Sequence, residues 1–227
     1  MSVVEERPGA DPGVRIVVRP LGNPLPLGFL ALTVATFAVA MLQLQVLAPS
    51  DGRVVALGIL GLTVPLQLIA CVLGFLARDP VAGTGMGILA GTWAGVALAL
   101  LSSPPGTRSL GLGVLLLCSA VAMLVPTAAA SSKLAGMVVM GLSAARFALT
   151  GLAQLTGAPA WFTVAGWTGV VLGAVAAYAA LAFELEDVRH ASVLPVGRRA
   201  MGADTMTAPA QVQLGSVGRE AGVRQQL

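Results

Sequence analysis

Long apolar stretches alternate with short polar segments along most of the chain. Six apolar stretches can be marked, at residues 27–47, 54–77, 82–101, 110–129, 134–155 and 161–185. A helix needs about 20 residues to cross the roughly 30 Å hydrocarbon core of a bilayer, and each stretch is about that long. The segments between them carry proline, glycine and charged residues, which are typical of turns. The pattern predicts an all-α integral membrane protein with six transmembrane helices.

The two ends of the chain are polar. We divide the sequence into a polar N-terminal tail at 1–22, a six-helix transmembrane domain at 23–185 and a C-terminal tail at 186–227. We expect the C-terminal tail to be partly disordered, because it has too few apolar residues to form a core. Glu184, Glu186 and Asp187 cluster where the last span ends, and we expect a solvated junction there, facing Arg189.

Composition agrees with a chain that lies in lipid. Hydrophobic residues make up 56% of the sequence and charged residues 10%, whereas soluble domains have about 25% charged residues. The formal net charge of +3 resides mostly in the tails, which indicates orientation in the membrane and not nucleic-acid binding. One side would carry Arg7, Arg15, Arg19, Arg78, Lys133, Arg189, Arg198 and Arg199. The other side would carry only Arg53 and Arg108, so we expect both termini in the cytoplasm and the protein in the plasma membrane.

Small residues recur every four positions in two of the spans. The third span has Gly83, Gly87, Gly91 and Gly95, and the sixth has Ala165, Gly169, Gly173 and Ala177. Small residues at this spacing let two helix backbones approach closely in a membrane. We expect these rows to form tight helix contacts or surfaces for self-assembly.

Residues that carry out enzymatic chemistry are scarce. The chain has a single histidine, His190, so a zinc site built on paired histidines is excluded. There is no phosphate-binding or dinucleotide-binding glycine loop, and Cys71 and Cys118 lie in apolar stretches without a histidine partner. We therefore expect no enzyme activity, cofactor or metal, which leaves passage of a solute, binding or scaffolding.

The first span begins with residues 23–29, which read NPLPLGF. The side-chain oxygen of Asn23 can cap the helix, and Pro24 and Pro26 fall in the first turn, where backbone N–H groups have no intrahelical partner. The partial positive charge at this helix end can also attract an anion.

Residues 23–29 resemble the N-P-A-P-L-G-L signature of the acetate uptake transporter family, the microbial succinate–acetate transporters. Residues 165–169 (AGWTG), then Gly173, Tyr178 and residues 194–197 (LPVG) resemble that family's sixth helix and its closing L-P-x-G. Gln67 is similar to the glutamine of the family's second-helix motif, and Trp93 to a third-helix tryptophan. The resemblance covers residues 23–197.

The resemblance implies a ring-like homohexamer in which each six-helix protomer has its own path for acetate and other small monocarboxylates, with succinate in some members. It places a constriction at Leu32, Leu89 and Leu142. Relatives can have Phe and Tyr at the first two positions, and the family's second-helix glycine pair is replaced here by Thr63 and Val64. These departures bear on the width of the constriction and on substrate preference.

Arg146 lies in the middle of the fifth span, where a charge costs at least about 2.5 kcal/mol on insertion scales. It shares a helix face with Leu142, Ser143 and Thr150. Two roles stay open for it: a guanidinium satisfied by neighbouring helices, or a contact with the solute. Because a carboxylate needs polar partners inside a membrane, we expect Asn23 with Pro24 and Pro26 at one vestibule. In the middle of the path the expected partners are Gln67, Thr63, Ser143 and Arg146.

Two other functions are compatible with the sequence. A constriction made of three leucines would also suit a small neutral solute such as urea or a short amide. A membrane scaffold or sensor is the third interpretation, in which the glycine rows serve assembly and the tail recruits a partner.

Overall fold

The computed structural model describes residues 21–130, 133–189 and 191–198. Within them, six helices are long and apolar enough to cross a membrane. They are α1 (Leu25–Gln43), α2 (Pro49–Leu76), α3 (Pro80–Ser102), α4 (Leu110–Ala129), α5 (Leu134–Thr156) and α6 (Pro159–Arg189). The six predicted spans are thus confirmed. The predicted tails at 1–20 and 199–227 lie outside the described residues.

The helices form a ring in which each one packs against its neighbours in sequence, and α6 packs back against α1. Short connections make successive helices antiparallel, so α1, α3 and α5 run in one direction. The centre of the ring is filled by buried apolar side chains, among them Phe29, Leu32, Met86, Leu89 and Phe147. The ring therefore encloses a core to which α1, α3 and α5 all contribute.

The second helix is irregular at mid-length. It is α-helical over Gly52–Gly58, makes one π turn over Ile59–Thr63 and returns to α-helix over Val64–Leu76. Pro65 explains the irregularity, because it has no N–H to donate and its ring crowds the preceding turn. The Thr63 hydroxyl lies at the end of this turn and donates to the carbonyl of Ala31 at 3.1 Å, which joins α2 to α1.

The glycine row of α3 serves several contacts. A Cβ on Gly83 would lie 2.8 Å from the Phe75 ring, and one on Gly87 would lie 3.1 Å from Cys71 Sγ, both on α2. On Gly95 it would meet Leu115 of α4 at 2.7 Å, whereas on Gly91 it would find no atom within 4 Å. A spacing of four residues drifts about 40° per step around a helix, so the row turns from one neighbour to another. Gly83, Gly87 and Gly95 pack inside the protomer, and Gly91 is left open.

The last turns of α6 differ from the expected solvated junction. Glu186 is buried, and its carboxylate accepts hydrogen bonds from Arg198 Nε at 2.7 Å and Nη2 at 2.6 Å. The prediction was wrong for Glu186, because the partner that satisfies it comes from a segment twelve residues further along. Glu184 and Asp187 are exposed, as expected.

Residues 194–198, which we call the C-terminal strap, fold back onto the start of α5. The backbone N–H groups of Leu134 and Ala135 donate to the carbonyls of Gly197 and Val196 at 3.2 and 3.1 Å. Two otherwise unsatisfied donors at a helix start thereby acquire partners. Gly197 has φ +65, and a Cβ there would lie 2.6 Å from Leu134 Cβ, so the turn requires glycine.

Three of the basic residues used to predict orientation can be located at the ends of the bundle, and Arg7, Arg15, Arg19 and Arg199 lie outside the described residues. The Lys133 side chain forms an ion pair with Asp79 at 3.0 Å, and its backbone forms an antiparallel β-bridge with Arg198. These contacts place the three residues at one end of the bundle. Arg108 donates to the carbonyl of Leu155 at 3.4 Å, at the opposite end.

Candidate functional site

The start of α1 is joined to the side chain of Asn23 by a hydrogen bond. The backbone N–H of Leu25 donates to the Asn23 side-chain oxygen at 3.1 Å. Pro24 and Pro26 are buried beside it, and Asn23 is partly exposed. The predicted hydrogen bond to Asn23 is present, but α1 begins at Leu25, so Pro24 and not Asn23 lies at the N-cap position. A role for this segment as a vestibule stays a prediction.

Three leucines lie at similar depth on the parallel helices. Leu32, Leu89 and Leu142 follow the first residues of α1, α3 and α5 by seven, nine and eight positions. At 1.5 Å per residue these depths agree within one helical turn. Leu32 and Leu89 are fully buried, and Leu142 is partly buried and packs against the same hydrophobic core. We call these residues the apolar layer.

Three polar side chains lie one turn beyond the apolar layer. Thr36, Trp93 and Arg146 each follow one of the leucines by four residues, and a spacing of four keeps side chains on one helix face. They are 0%, 1% and 1% exposed. Thr36 Oγ1, Trp93 Nε1 and Arg146 Nη2 are all buried without a hydrogen-bond partner among the described residues. We call these residues the polar layer.

Sequence reasoning identified Arg146 and noted Trp93 only as a resemblance, and it missed Thr36. The signal was the shared spacing of four residues from each leucine, which becomes meaningful once three helices are known to run parallel.

The guanidinium of Arg146 is held between helices. Its Nη1 donates to the carbonyl of Ala165 on α6 at 3.2 Å, and its Cζ lies 6.0 Å from the centroid of the Trp93 ring. A Cβ on Gly169 would overlap this guanidinium and would lie 3.0 Å from Ala40 Cβ. Glycine at 169 therefore gives the guanidinium the space that it occupies.

Among the other polar residues predicted to line the path, Gln67 has no hydrogen-bond partner in the described residues, whereas the hydroxyls of Ser143 and Thr63 already donate hydrogen bonds. Gln67 is fully buried, and neither its Oε1 nor its Nε2 has a partner in the described part of the chain. The hydroxyl of Ser143 donates to the carbonyl of Val139 on its own helix at 2.8 Å, and Thr63 donates to Ala31. Ser143 and Thr63 thus do not offer free donors to a solute.

Gly173 lies one turn beyond Gly169 at the contact between α6 and α1. A Cβ there would lie 3.4 Å from Thr36 Cγ2, at the edge of ordinary van der Waals distance. Gly169 therefore faces Arg146 of the polar layer, and Gly173 faces Thr36 of the same layer.

No protein-family model matches the sequence, and no curated protein matches it. Among solved structures, the bacterial acetate channel SatP aligns with a TM-score of 0.70 at 23% sequence identity. The alignment covers 78% of this chain and 99% of that one. The six-helix protomer fold implied by the resemblance is thus confirmed over 99% of the other protein. This protein is an all-α, six-helix membrane protein with the fold of the bacterial acetate channel SatP.

Proposed function

We propose that the protein is a channel or transporter that passes acetate and similar small monocarboxylates across the plasma membrane. The observation that carries the proposal is the shared fold, which extends over 99% of the acetate channel. The apolar layer supports it further, because three leucines at one depth can form a narrow dry constriction. We propose Leu32, Leu89 and Leu142 as that constriction and assign no enzymatic reaction to the protein.

Polar groups on both sides of the constriction would replace the water that hydrates the solute, because transfer of an unsolvated carboxylate into hydrocarbon costs a prohibitive free energy. Asn23, with Pro24 and Pro26, would form one vestibule at the positive end of α1. Gln67 would serve the middle of the path, because both ends of its amide are unpartnered.

The assembly and topology follow the same proposal. We propose a ring-like homohexamer in the plasma membrane with both termini in the cytoplasm. The concentration of basic residues at the end that carries Lys133 and Arg198 supports this orientation. Residues 1–22 and 186–227 would then extend the 23–185 transmembrane domain on the cytoplasmic side.

Flux into proteoliposomes tests the function. Purified protein should take up labelled acetate faster than empty liposomes, and formate and propionate should compete. Equal uptake in protein-containing and empty liposomes would overturn the proposal.

A neutral solute is the second candidate, favoured by the apolar character of all three side chains in the constriction. Labelled urea or acetamide offered to the same proteoliposomes distinguishes the two functions. Uptake of the amide with no uptake of acetate would replace the first proposal with this one.

A scaffold function would depend on the C-terminal tail. Because Arg198 binds Glu186, truncation should begin after residue 199 so that the strap remains intact. Acetate uptake by the shortened protein at the rate of the full chain would argue against recruitment as the main function.

A further inference from the structure

The polar layer holds a positive charge that no carboxylate of the described residues balances. The described carboxylates belong to Asp51, Asp79, Glu184, Glu186 and Asp187, and all of them lie at helix ends. Arg146 lies near the middle of α5 and has no carboxylate partner in the described part of the chain. A guanidinium stays charged under all ordinary conditions. An anion or water can supply the partner that the described residues do not.

The unpartnered atoms around this charge are suited to an anion. Arg146 Nη2 and Trp93 Nε1 can only donate hydrogen bonds, and the Thr36 hydroxyl can donate one. Leaving a buried donor without a hydrogen bond costs roughly 1–3 kcal/mol, and more when the donor is charged. Three such groups lie on three parallel helices at one depth, and one small oxyanion that reached all of them would satisfy all three.

The remaining contacts of Arg146 fix its position without using up its donors. Nη1 is held by the Ala165 carbonyl, and the guanidinium lies beside the Trp93 ring. The absence of a side chain at Gly169 leaves room for the group. A guanidinium fixed in this way is preorganised to hold a carboxylate.

We propose that Arg146, with Trp93 and Thr36, forms an anion site one helical turn from the apolar layer, and that it binds the carboxylate of the transported solute. This inference rests on the proposed channel function. The site makes the path select anions over neutral solutes of the same shape. Trp93 and Thr36 complete the hydrogen bonds that a single arginine cannot supply.

Binding can be measured without transport. The chain has three tryptophans, and Trp161 and Trp167 are exposed by 37% and 60%. In a variant with Trp161→Phe and Trp167→Phe, the emission of Trp93 should change saturably with acetate and not with acetamide, its neutral isostere. No acetate response in this protein, with its oligomeric state intact, would overturn the inference even if flux were normal.

Substitution of the arginine tests its charge. In the same background, Arg146→Met should weaken the acetate response by at least about tenfold, because a charge-assisted hydrogen bond is lost. Arg146→Lys should recover part of it, since the charge remains while the planar fork does not. Arg53→Met, which removes an exposed charge at the end of the bundle, is the matched control and should leave the response unchanged.

Flux separates failure of the inference from failure of the proposed function. The parent should take up acetate over acetamide, and Arg146→Met should lower that ratio at least about tenfold. An unchanged ratio in a properly assembled Arg146→Met protein would overturn the anion site and leave the channel function standing. No acetate uptake by the parent would overturn the channel function, and the Trp93 titration would still report on the site.

Discussion

Charged side chains are treated differently at the end of the bundle and in its middle. At the end, Glu186 is held by two hydrogen bonds from Arg198, and Asp79 is paired with Lys133. In the middle, Arg146 has one carbonyl partner and a second nitrogen with none in the described residues. Glu186 and Arg146 are both buried, so burial does not explain the difference. Polar groups that are fully paired hold a structure together, whereas buried unpaired groups can bind a ligand.

This comparison predicts two kinds of variant. Substitutions at the end of the bundle should lower stability and leave uptake per assembled molecule unchanged. Substitutions in the middle should change which solutes pass.

The largest effect is expected at Leu89. Leu89→Ala removes a fully buried side chain from the apolar layer, and truncations of this kind cost roughly 2–5 kcal/mol. The constriction should also widen, so that lactate competes with acetate more strongly. Thermal unfolding and competition assays measure the two effects. Leu142→Ala, at a partly buried member of the same layer, should show a smaller loss of stability. Parent-like solute ranking in both variants would contradict the assignment of the constriction.

Gly169→Ala should disturb the polar layer in the middle of the bundle without removing any polar side chain. The new methyl would overlap the guanidinium of Arg146, and overpacking costs about 1–3 kcal/mol. Gly173→Ala is the matched control, because its methyl would meet Thr36 Cγ2 at 3.4 Å. Combining Gly169→Ala with Arg146→Met should restore part of the stability in a double-mutant cycle. Additive losses would show that the two positions do not interact.

At the end of the bundle, Glu186→Gln should lower stability by about 2 kcal/mol, because hydrogen bonds to a charged group are lost. The strap should loosen from the start of α5, which hydrogen exchange at Leu134 and Ala135 would report. Asp187→Asn, a neighbouring exposed carboxylate, serves as control. A changed ratio of acetate to acetamide uptake in Glu186→Gln would contradict the expectation that the end of the bundle affects stability alone.

A smaller effect is expected from Lys133→Gln. The paired side chains of Lys133 and Asp79 are 28% and 27% exposed, and ion pairs of this kind contribute about 0–1 kcal/mol. Thermal unfolding at low and high salt should show a slight loss that disappears as salt screens the pair. A loss larger than that of Glu186→Gln would reverse the expected order.

The smallest effect on the protomer is expected from Gly91→Leu. A Cβ there would meet no atom within 4 Å, so we expect folding to be unaffected. If Gly91 faces another protomer in the proposed hexamer, native mass spectrometry should show smaller species. Gly87→Leu should instead destabilise the protomer, because Gly87 packs on Cys71. An intact oligomer in Gly91→Leu would place this position in contact with lipid.

The sequence by itself determined the six spans, because a helix that satisfies its own backbone needs only enough apolar residues to cross a bilayer. It also determined the hydrogen bond between Asn23 and the first turn of α1, which depends on residues close together in the chain. The partner of Glu186 could not be predicted in the same way, because Arg198 is brought to it only when the strap folds back onto α5.

The polar layer was likewise decided by tertiary structure. Thr36, Trp93 and Arg146 are 110 residues apart at their extremes, and nothing local relates them. They share one depth only because α1, α3 and α5 run parallel around a closed ring. Whether each buried polar atom found a partner also depended on every helix around it, since a hydrogen bond needs both groups within about 3 Å. Local sequence determines where the helices form, whereas only their packing into a ring brings these polar side chains to the same depth.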